Sequence, residues 1–97
     1  MKITFTQAQE IAEQEIRRIV AASPQLSRYE FGALYLRRDE QPFWTFGAAS
    51  EQLMDADVAP GAIFVSIDKK DGHIWGDEAV THYYERIALT AEQRQAA

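Results

Sequence analysis

The sequence predicts an α+β fold, in which an N-terminal helix packs on a four-stranded antiparallel meander and a short helix follows at the C-terminus. Three observations predict it. Apolar residues recur at helical spacing near both ends of the chain, segments with strand character lie between them, and short polar turns separate those segments. Consecutive strands joined by short turns pair antiparallel, and a helix with one apolar side covers the sheet. We expect residues 1–97 to form a single domain with an ordered core from about residue 4 to 88.

The first element is a helix with one apolar stripe. Thr4 and Thr6 are both candidate N-caps, because each has glutamine three residues later, as in a capping box. Pro24 ends the helix, since the residue before a proline avoids the helical conformation. The stripe consists of Ala8, Ile11, Ala12, Ile16, Ile19 and Val20.

Two strands follow, joined by a polar turn that ends in Pro42. The first runs from about Arg28 to Arg37 and the second from Phe43 to about Ala49. In the first strand, one face is aromatic and is the better core candidate. That face carries Tyr29, Phe31, Ala33 and Tyr35. The aromatic residues expected in the core are Phe31, Tyr35, Phe46 and Phe64.

Residues 50–61 have no strand pattern, and they have room for one helical turn before a loop. A third strand, in which Ile63, Val65 and Ile67 alternate with other residues, follows. Gly72 suits the positive φ of the next turn. His73 to Trp75 start a short fourth strand. Asp77 is a candidate cap of the C-terminal helix, which we expect to pack on an edge or end of the sheet and to fray over residues 90–97.

Composition excludes several classes of site and of protein. The chain has no cysteine, which excludes disulfides, thiolate zinc sites and cysteine nucleophiles. The N-terminus has no apolar run of signal-peptide length, and no window is long and apolar enough to span a membrane. We therefore expect a cytoplasmic protein.

The net charge of −5 is unevenly distributed, because most acidic side chains lie in the second part of the chain. Such an acidic surface argues against nucleic acid or anionic membrane as partner and favours a basic protein. Simple solubility is the other explanation of the charge. The acidic residues between 39 and 78 are Asp39, Glu40, Glu51, Asp55, Asp57, Asp68, Asp71, Asp77 and Glu78.

No set of catalytic, cofactor-binding or metal-binding residues can be assembled, so we expect no enzyme. His73 and His82 lack the spacing of a metal site. The segment 68–72 lacks the alternating ligands of a calcium loop and is better explained as a charged turn. Trp44 and Trp75 lie near strand ends beside acidic segments, where each either covers the sheet or anchors a protein interface.

Several short motifs together resemble the immunity protein 35 family of bacterial polymorphic-toxin systems. They are the strand segment Trp44-Thr45-Phe46, the hairpin from Val65-Ser66-Ile67-Asp68-Lys69 through Gly72 to Ile74, and the helix segment His82-Tyr83-Tyr84-Glu85. The hairpin also resembles PepSY-type domains, which are usually exported and often inhibit a peptidase. The first resemblance covers about residues 4–88.

The resemblance implies a protein that binds a cognate secreted toxin in the producing cell and neutralises it by stoichiometric occlusion, with a basic active-site cleft suiting the acidic surface. We expect the contacts to be Trp44, Glu51, Asp55, Asp57, Trp75, Asp77 and Glu78. A PepSY-like peptidase inhibitor, a small metal-dependent enzyme that uses the acidic loop, and a domain that pairs through an exposed edge strand are the alternatives. The sequence leaves the oligomeric state open.

Overall fold

A computed structural model describes residues 2–56 and 61–96, with side chains described as far as Ala91. The sheet has the order β1-β2-β3-β4 with antiparallel neighbours, which confirms the predicted fold class. The elements are α1 (Phe5–Ala22), β1 (Tyr35–Asp39), β2 (Phe43–Ala49), α2 (Glu51–Asp55), β3 (Ala62–Asp68), β4 (Ile74–Trp75) and α3 (Asp77–Ala96).

Helix α1 begins and ends where the sequence predicts. Thr4 caps it: the Thr4 hydroxyl accepts the backbone N–H of Gln7, and the Gln7 side chain accepts the backbone N–H of Thr4. This reciprocal pair satisfies two donors that the first helical turn otherwise leaves without a partner. Ala8, Ala12 and Ile16 are buried on the predicted apolar stripe.

The sheet has two faces, which we name after the helix that packs on each. The α1 face carries Trp44, Phe46, Ala48, Ile63, Val65 and Ile67, and it packs against α1 to form the main core. The α3 face carries Phe43, Thr45, Gly47, Phe64, Ser66 and Trp75, and α3 lies against part of it. Small Ala8 and Ala12 let α1 approach the α1 face closely, because their side chains occupy little space.

The predicted first strand, Arg28–Arg37, is wrong in position. Turns occupy the chain as far as Tyr29, where the backbone N–H of Ser27 bonds to Ser23 O and that of Leu26 to the Ser23 hydroxyl. Such local bonds compete with a strand ladder for the same backbone groups. Gly32 N–H donates to Ala49 O at 2.8 Å, but regular pairing begins only at Tyr35.

The predicted aromatic core face of this segment is also wrong. Tyr35 is 39% exposed, Ala33 is exposed and Tyr29 is half-buried, so only Phe31 of this face packs against the main core, as Leu34 of the other predicted face also does. Phe46 is fully buried as expected and Phe64 is half-buried. Phe43 was not among the expected core residues, yet it is fully buried because α3 brings tyrosines over it.

The remaining elements follow the sequence closely. Gly72 has φ +78° in the β3–β4 turn, and a β-carbon there would also meet the Ile11 side chain of α1 at 3.0 Å. Helix α2 supplies the helical turn expected within residues 50–61, of which 57–60 lie outside the described residues. Helix α3 starts at Asp77, so the prediction that Asp77 caps it is wrong by one residue: Gly76 O accepts the N–H of Val80. The helix continues to Ala96, through residues that the sequence analysis expects to fray. None of the helices in the described parts of the chain is long and apolar enough to cross a bilayer.

Candidate functional site

Three of the predicted contact residues lie together at one edge of the sheet. Trp75 ends β4, and Asp77 and Glu78 open α3 directly after it. We call this surface the β4 edge and define it as Asp71, His73, Ile74, Trp75, Asp77 and Glu78. All of these residues are exposed except Trp75, which is half-buried. The β4 edge therefore combines acidic groups with two consecutive apolar residues, of which Trp75 lies on the α3 face and Ile74 on the opposite face.

Trp75 is held rigidly at this edge. Its indole N–H donates to Asp68 Oδ2 at 3.0 Å, and its ring lies 4.7 Å from the Phe43 ring. The His73 ring stacks nearly parallel to it on the outer side, with centroids 6.4 Å apart. A tryptophan fixed in one orientation loses little conformational freedom on binding, which favours its use as an anchor.

The carboxylates of the β3–β4 turn are ionised and accept hydrogen bonds from within the turn and from Trp75. Burial opposes ionisation of Asp68, but hydrogen bonds from Trp75 and from the backbone N–H groups of Lys70 and Asp71 outweigh it and lower the Asp68 pKa. Hydrogen bonds from the His73 backbone and ring lower the pKa of Asp71. Donors that stabilise the charged form always act in this direction.

Asp68, Asp71 and His73 also form the one group of metal-ligand type found in the described parts of the chain, with atoms within 4.8 Å of one another. Their oxygens already accept the turn's own hydrogen bonds, and His73 Nδ1 lies 2.6 Å from Asp71 Oδ1. Segment 68–72 is therefore a charged turn whose own side chains bond its backbone, as the sequence predicts.

The acidic loop residues lie elsewhere. Glu51 and Asp55 are exposed on α2, which follows the end of β2 that is remote from the β1–β2 turn. Asp57 lies outside the described residues. Exposed Met54 is the apolar neighbour of these acids. The sheet separates this acidic patch from the β4 edge, so the predicted contact residues do not form one continuous surface.

Trp44 lies on the opposite face of the sheet from Trp75. Its ring packs edge-on against Phe5 at 5.4 Å, and Lys69 Nζ lies 5.0 Å from its centroid. Lys69 also pairs with Asp39 at 2.5 Å. The two tryptophans therefore cannot anchor the same partner surface, and Trp44 mainly covers the α1 face.

Sequence reasoning missed the group that attaches α3. The hydroxyls of Tyr83 and Tyr84 donate to the two carboxylate oxygens of Glu40, at 3.2 and 3.3 Å. The tyrosine rings pack edge-on against Phe43, with centroids 5.1 and 6.2 Å away. The pair Tyr83-Tyr84 was visible as a motif, but its partner lies more than forty residues away, in the β1–β2 turn. No sequence pattern gives that pairing.

Helix α3 does not extend over the other end of the α3 face. A groove of about 300 Å³ lies beside α3, with the buried hydroxyls of Thr45 and Ser66, 2.7 Å apart, at its floor. Beyond it, Gly47 provides space for the rings of Tyr35 and Phe64, each of which would lie 2.9 Å from a β-carbon at that position. The Arg37 guanidinium lies 4.5 Å from the Phe64 centroid. We call Tyr35, Arg37, Gly47 and Phe64 the open end.

A bulge in β1 turns both arginines to this side. Tyr35 pairs with Gly47 and Arg38 with Thr45, and the register shifts between Leu36 and Arg38. Arg37 is therefore the extra residue, and it projects to the same face as its neighbour. Arg38 lies over the Tyr84 ring at 5.1 Å.

Comparison with protein-family models, with curated proteins and with solved structures finds no match to this chain. The resemblance to the immunity protein 35 family therefore stays a prediction.

Proposed function

We propose that this chain is a binding protein that neutralises a cognate bacterial toxin in the cytoplasm of the producing cell, by stoichiometric occlusion and without catalysis. The observation that carries the proposal is the β4 edge, where an anchored tryptophan on the α3 face and an exposed isoleucine on the opposite face lie next to the carboxylates of Asp71, Asp77 and Glu78. Aromatic anchors beside charged groups are typical of tight protein interfaces.

The backbone of this edge supports the same proposal. β4 pairs only with Ser66 and Ile67, whereas β3 is seven residues long. No described strand pairs with the β4 side of β3 between Ala62 and Val65. An extended segment of a partner can add to such an edge through main-chain hydrogen bonds. Ile74 and Trp75 then contact its side chains.

Charge supports a basic partner. The chain carries a net charge of −5, and Asp71, Asp77 and Glu78 bring part of it to the β4 edge. An acidic edge attracts a basic active-site cleft over long range and raises the association rate, as fast neutralisation of a toxin requires. The same charge disfavours nucleic acid and anionic membranes.

The test uses the protein encoded by the neighbouring gene. We expect its expression to arrest growth, co-expression of this chain to restore growth, and calorimetry to give a 1:1 ratio of the two chains. The variant Asp77→Asn/Glu78→Gln should weaken binding by about 10-fold or more and flatten its salt dependence.

Two further variants locate the contact. Glu10→Gln/Glu13→Gln changes the charge equally on the exposed side of α1 and should leave affinity within about twofold. Glu51→Gln/Asp55→Asn tests the acidic patch on α2 as a separate contact. A neighbouring protein that is neither toxic nor bound overturns the function. Equal losses in the α1 and β4-edge variants overturn the site, because they would reflect net charge alone.

A further inference from the structure

The apolar stripe of α3 continues beyond the surface that it covers. Val80, Tyr83 and Tyr84 face the sheet, and Ile87 and Ala91 follow at the same helical spacing. Every residue from 85 to 91 is exposed, including Ile87 at 46%. The radius of gyration of 15.5 Å exceeds the roughly 12.5 Å expected of a compact chain of this length.

The direction of α3 explains this exposure. The helix starts beside β4, and by Tyr84 it has reached Arg38 on β1 and Glu40 in the β1–β2 turn. Residues 85–96 continue the helix by about 18 Å beyond these last contacts with β1 and the β1–β2 turn. β1 is an edge strand whose side chains are all exposed.

We propose that two copies of this chain form a two-fold dimer in which each α3 covers the open end of the other copy. The two β1 strands lie side by side and antiparallel, with the two-fold axis perpendicular to the sheets. This rotation brings the Asp39 end of one β1 beside the Tyr35 end of the other. The free half of α3 therefore arrives over the part of the α3 face that α3 of the same chain does not cover.

Lengths and charges fit a second copy. In this dimer, the distance from β1 of one copy to β3 of the other is three strand spacings, or about 14 Å. Residues 85–96 are long enough to span it. The C-terminal end of α3 then reaches Phe64 and Arg37. A helix C-terminus carries partial negative charge, and Arg37 forms no salt bridge within the described parts of the chain.

Two-fold symmetry lowers the area that each contact must bury. A specific interface buries about 1,200 Å² or more in total, and a two-fold axis repeats each helix-on-sheet contact, so each needs to bury only about half of that area. The β4 edge is at the opposite side of the sheet from β1 and stays free in the dimer. The dimer is thus compatible with the proposed toxin contact and does not depend on it.

The test is light scattering of the chain alone at 10–200 µM, where we expect twice the chain mass of 11.0 kDa. Ile87→Glu should weaken dimerisation at least about 100-fold, because it places two buried charges in the interface. Leu89→Glu is the matched control: Leu89 is 55% exposed on the opposite side of the same helix, and the dimer should persist. Circular dichroism checks that both variants fold.

Cross-linking tests the arrangement. The chain has no cysteine, so single variants Tyr35→Cys and Ile87→Cys can be mixed and treated with a short bis-maleimide. We expect a covalent dimer in the mixture, and little when Leu89→Cys replaces Ile87→Cys. A monomer at 200 µM overturns the proposal, as does a dimer that survives Ile87→Glu. If the chain is a monomer and Ile87→Glu weakens toxin binding, this surface binds the toxin. That result also overturns the dimer proposal.

Discussion

The two faces of the sheet are built from the same strands but are completed in different ways. On the α1 face, Phe46 is fully buried under a helix whose small residues fit closely against the strands. On the α3 face, Phe43 is equally buried, but α3 covers only one end of the face, through two tyrosines bonded to Glu40. The α1 face is a closed core, whereas the α3 face is partly a surface.

We expect this difference to separate the residues that stabilise the domain from those that bind. A close-packed face tolerates little change in volume, because every lost contact leaves a cavity. A half-covered face with aromatic and arginine side chains has the composition of an interface. We therefore expect substitutions on the α1 face to unfold the domain, and substitutions on the α3 face to release α3 first.

The largest effect should come from the same substitution on the two faces. Phe46→Ala should lower the free energy of unfolding by about 3–5 kcal/mol, as expected for a phenylalanine in a closed core. Phe43→Ala should cost at least about 1 kcal/mol less, because α3 can shift into the space. Urea unfolding followed by circular dichroism measures both at equal protein concentration. Equal costs would contradict the difference between the faces.

An intermediate effect is expected at the group that attaches α3. Glu40→Gln should weaken the docking of α3 by about 1 kcal/mol, since an uncharged amide is a poorer acceptor for two hydroxyls. Burial and then the Glu40 charge raise the pKa of Tyr83 and of Tyr84. A group with a raised pKa stabilises the fold below its unfolded pKa, and that stability is lost as the pH rises through the folded pKa.

Raising the pH should therefore affect the α3 face before the α1 face. Above pH 10 or so, α3 should detach while the α1 face stays folded. Absorbance at 295 nm reports the tyrosinates, and hydrogen exchange reports α3. The Tyr83→Phe/Tyr84→Phe variant should lose the late tyrosinate step. If α1 and α3 lose their protection from hydrogen exchange at the same pH, the tyrosines do not control the docking of α3 alone, and this prediction is contradicted.

A smaller effect is expected at low pH, at Asp68. Because its pKa is lowered by Trp75 and two backbone N–H groups, its stabilisation is present above the unfolded pKa of about 4 and is lost as the pH falls through the folded value. In a Trp44→Phe background, Trp75 fluorescence should change over that range. Asp68→Asn should remove most of the pH-dependent change. If Asp68→Asn leaves the pH dependence of Trp75 fluorescence unchanged, that change comes from another titrating group.

The sequence predicts one face better than the other for a physical reason. The stripe of α1, the alternation in β3 and the glycine turn at Gly72 are local patterns, and they place the α1 core correctly. The start of β1 depends on competing turn bonds around Ser23, and the burial of Phe43 depends on Glu40 binding tyrosines far along the chain. Such non-local contacts leave no periodic signal. For the candidate site, Trp75, Asp77 and Glu78 lie at the fourth-strand edge, where the sequence placed them, but the sequence could not separate them from Trp44, and their role as contacts stays a prediction.

The most direct test of this comparison is hydrogen exchange of the chain alone at low and high protein concentration. If the chain completes its own α1 face and a second copy completes the α3 face, protection of α1 and of β2 should be independent of concentration. Protection of β1 and of residues 85–91 should increase with concentration. Protection of residues 85–91 that is the same at every concentration would contradict the account.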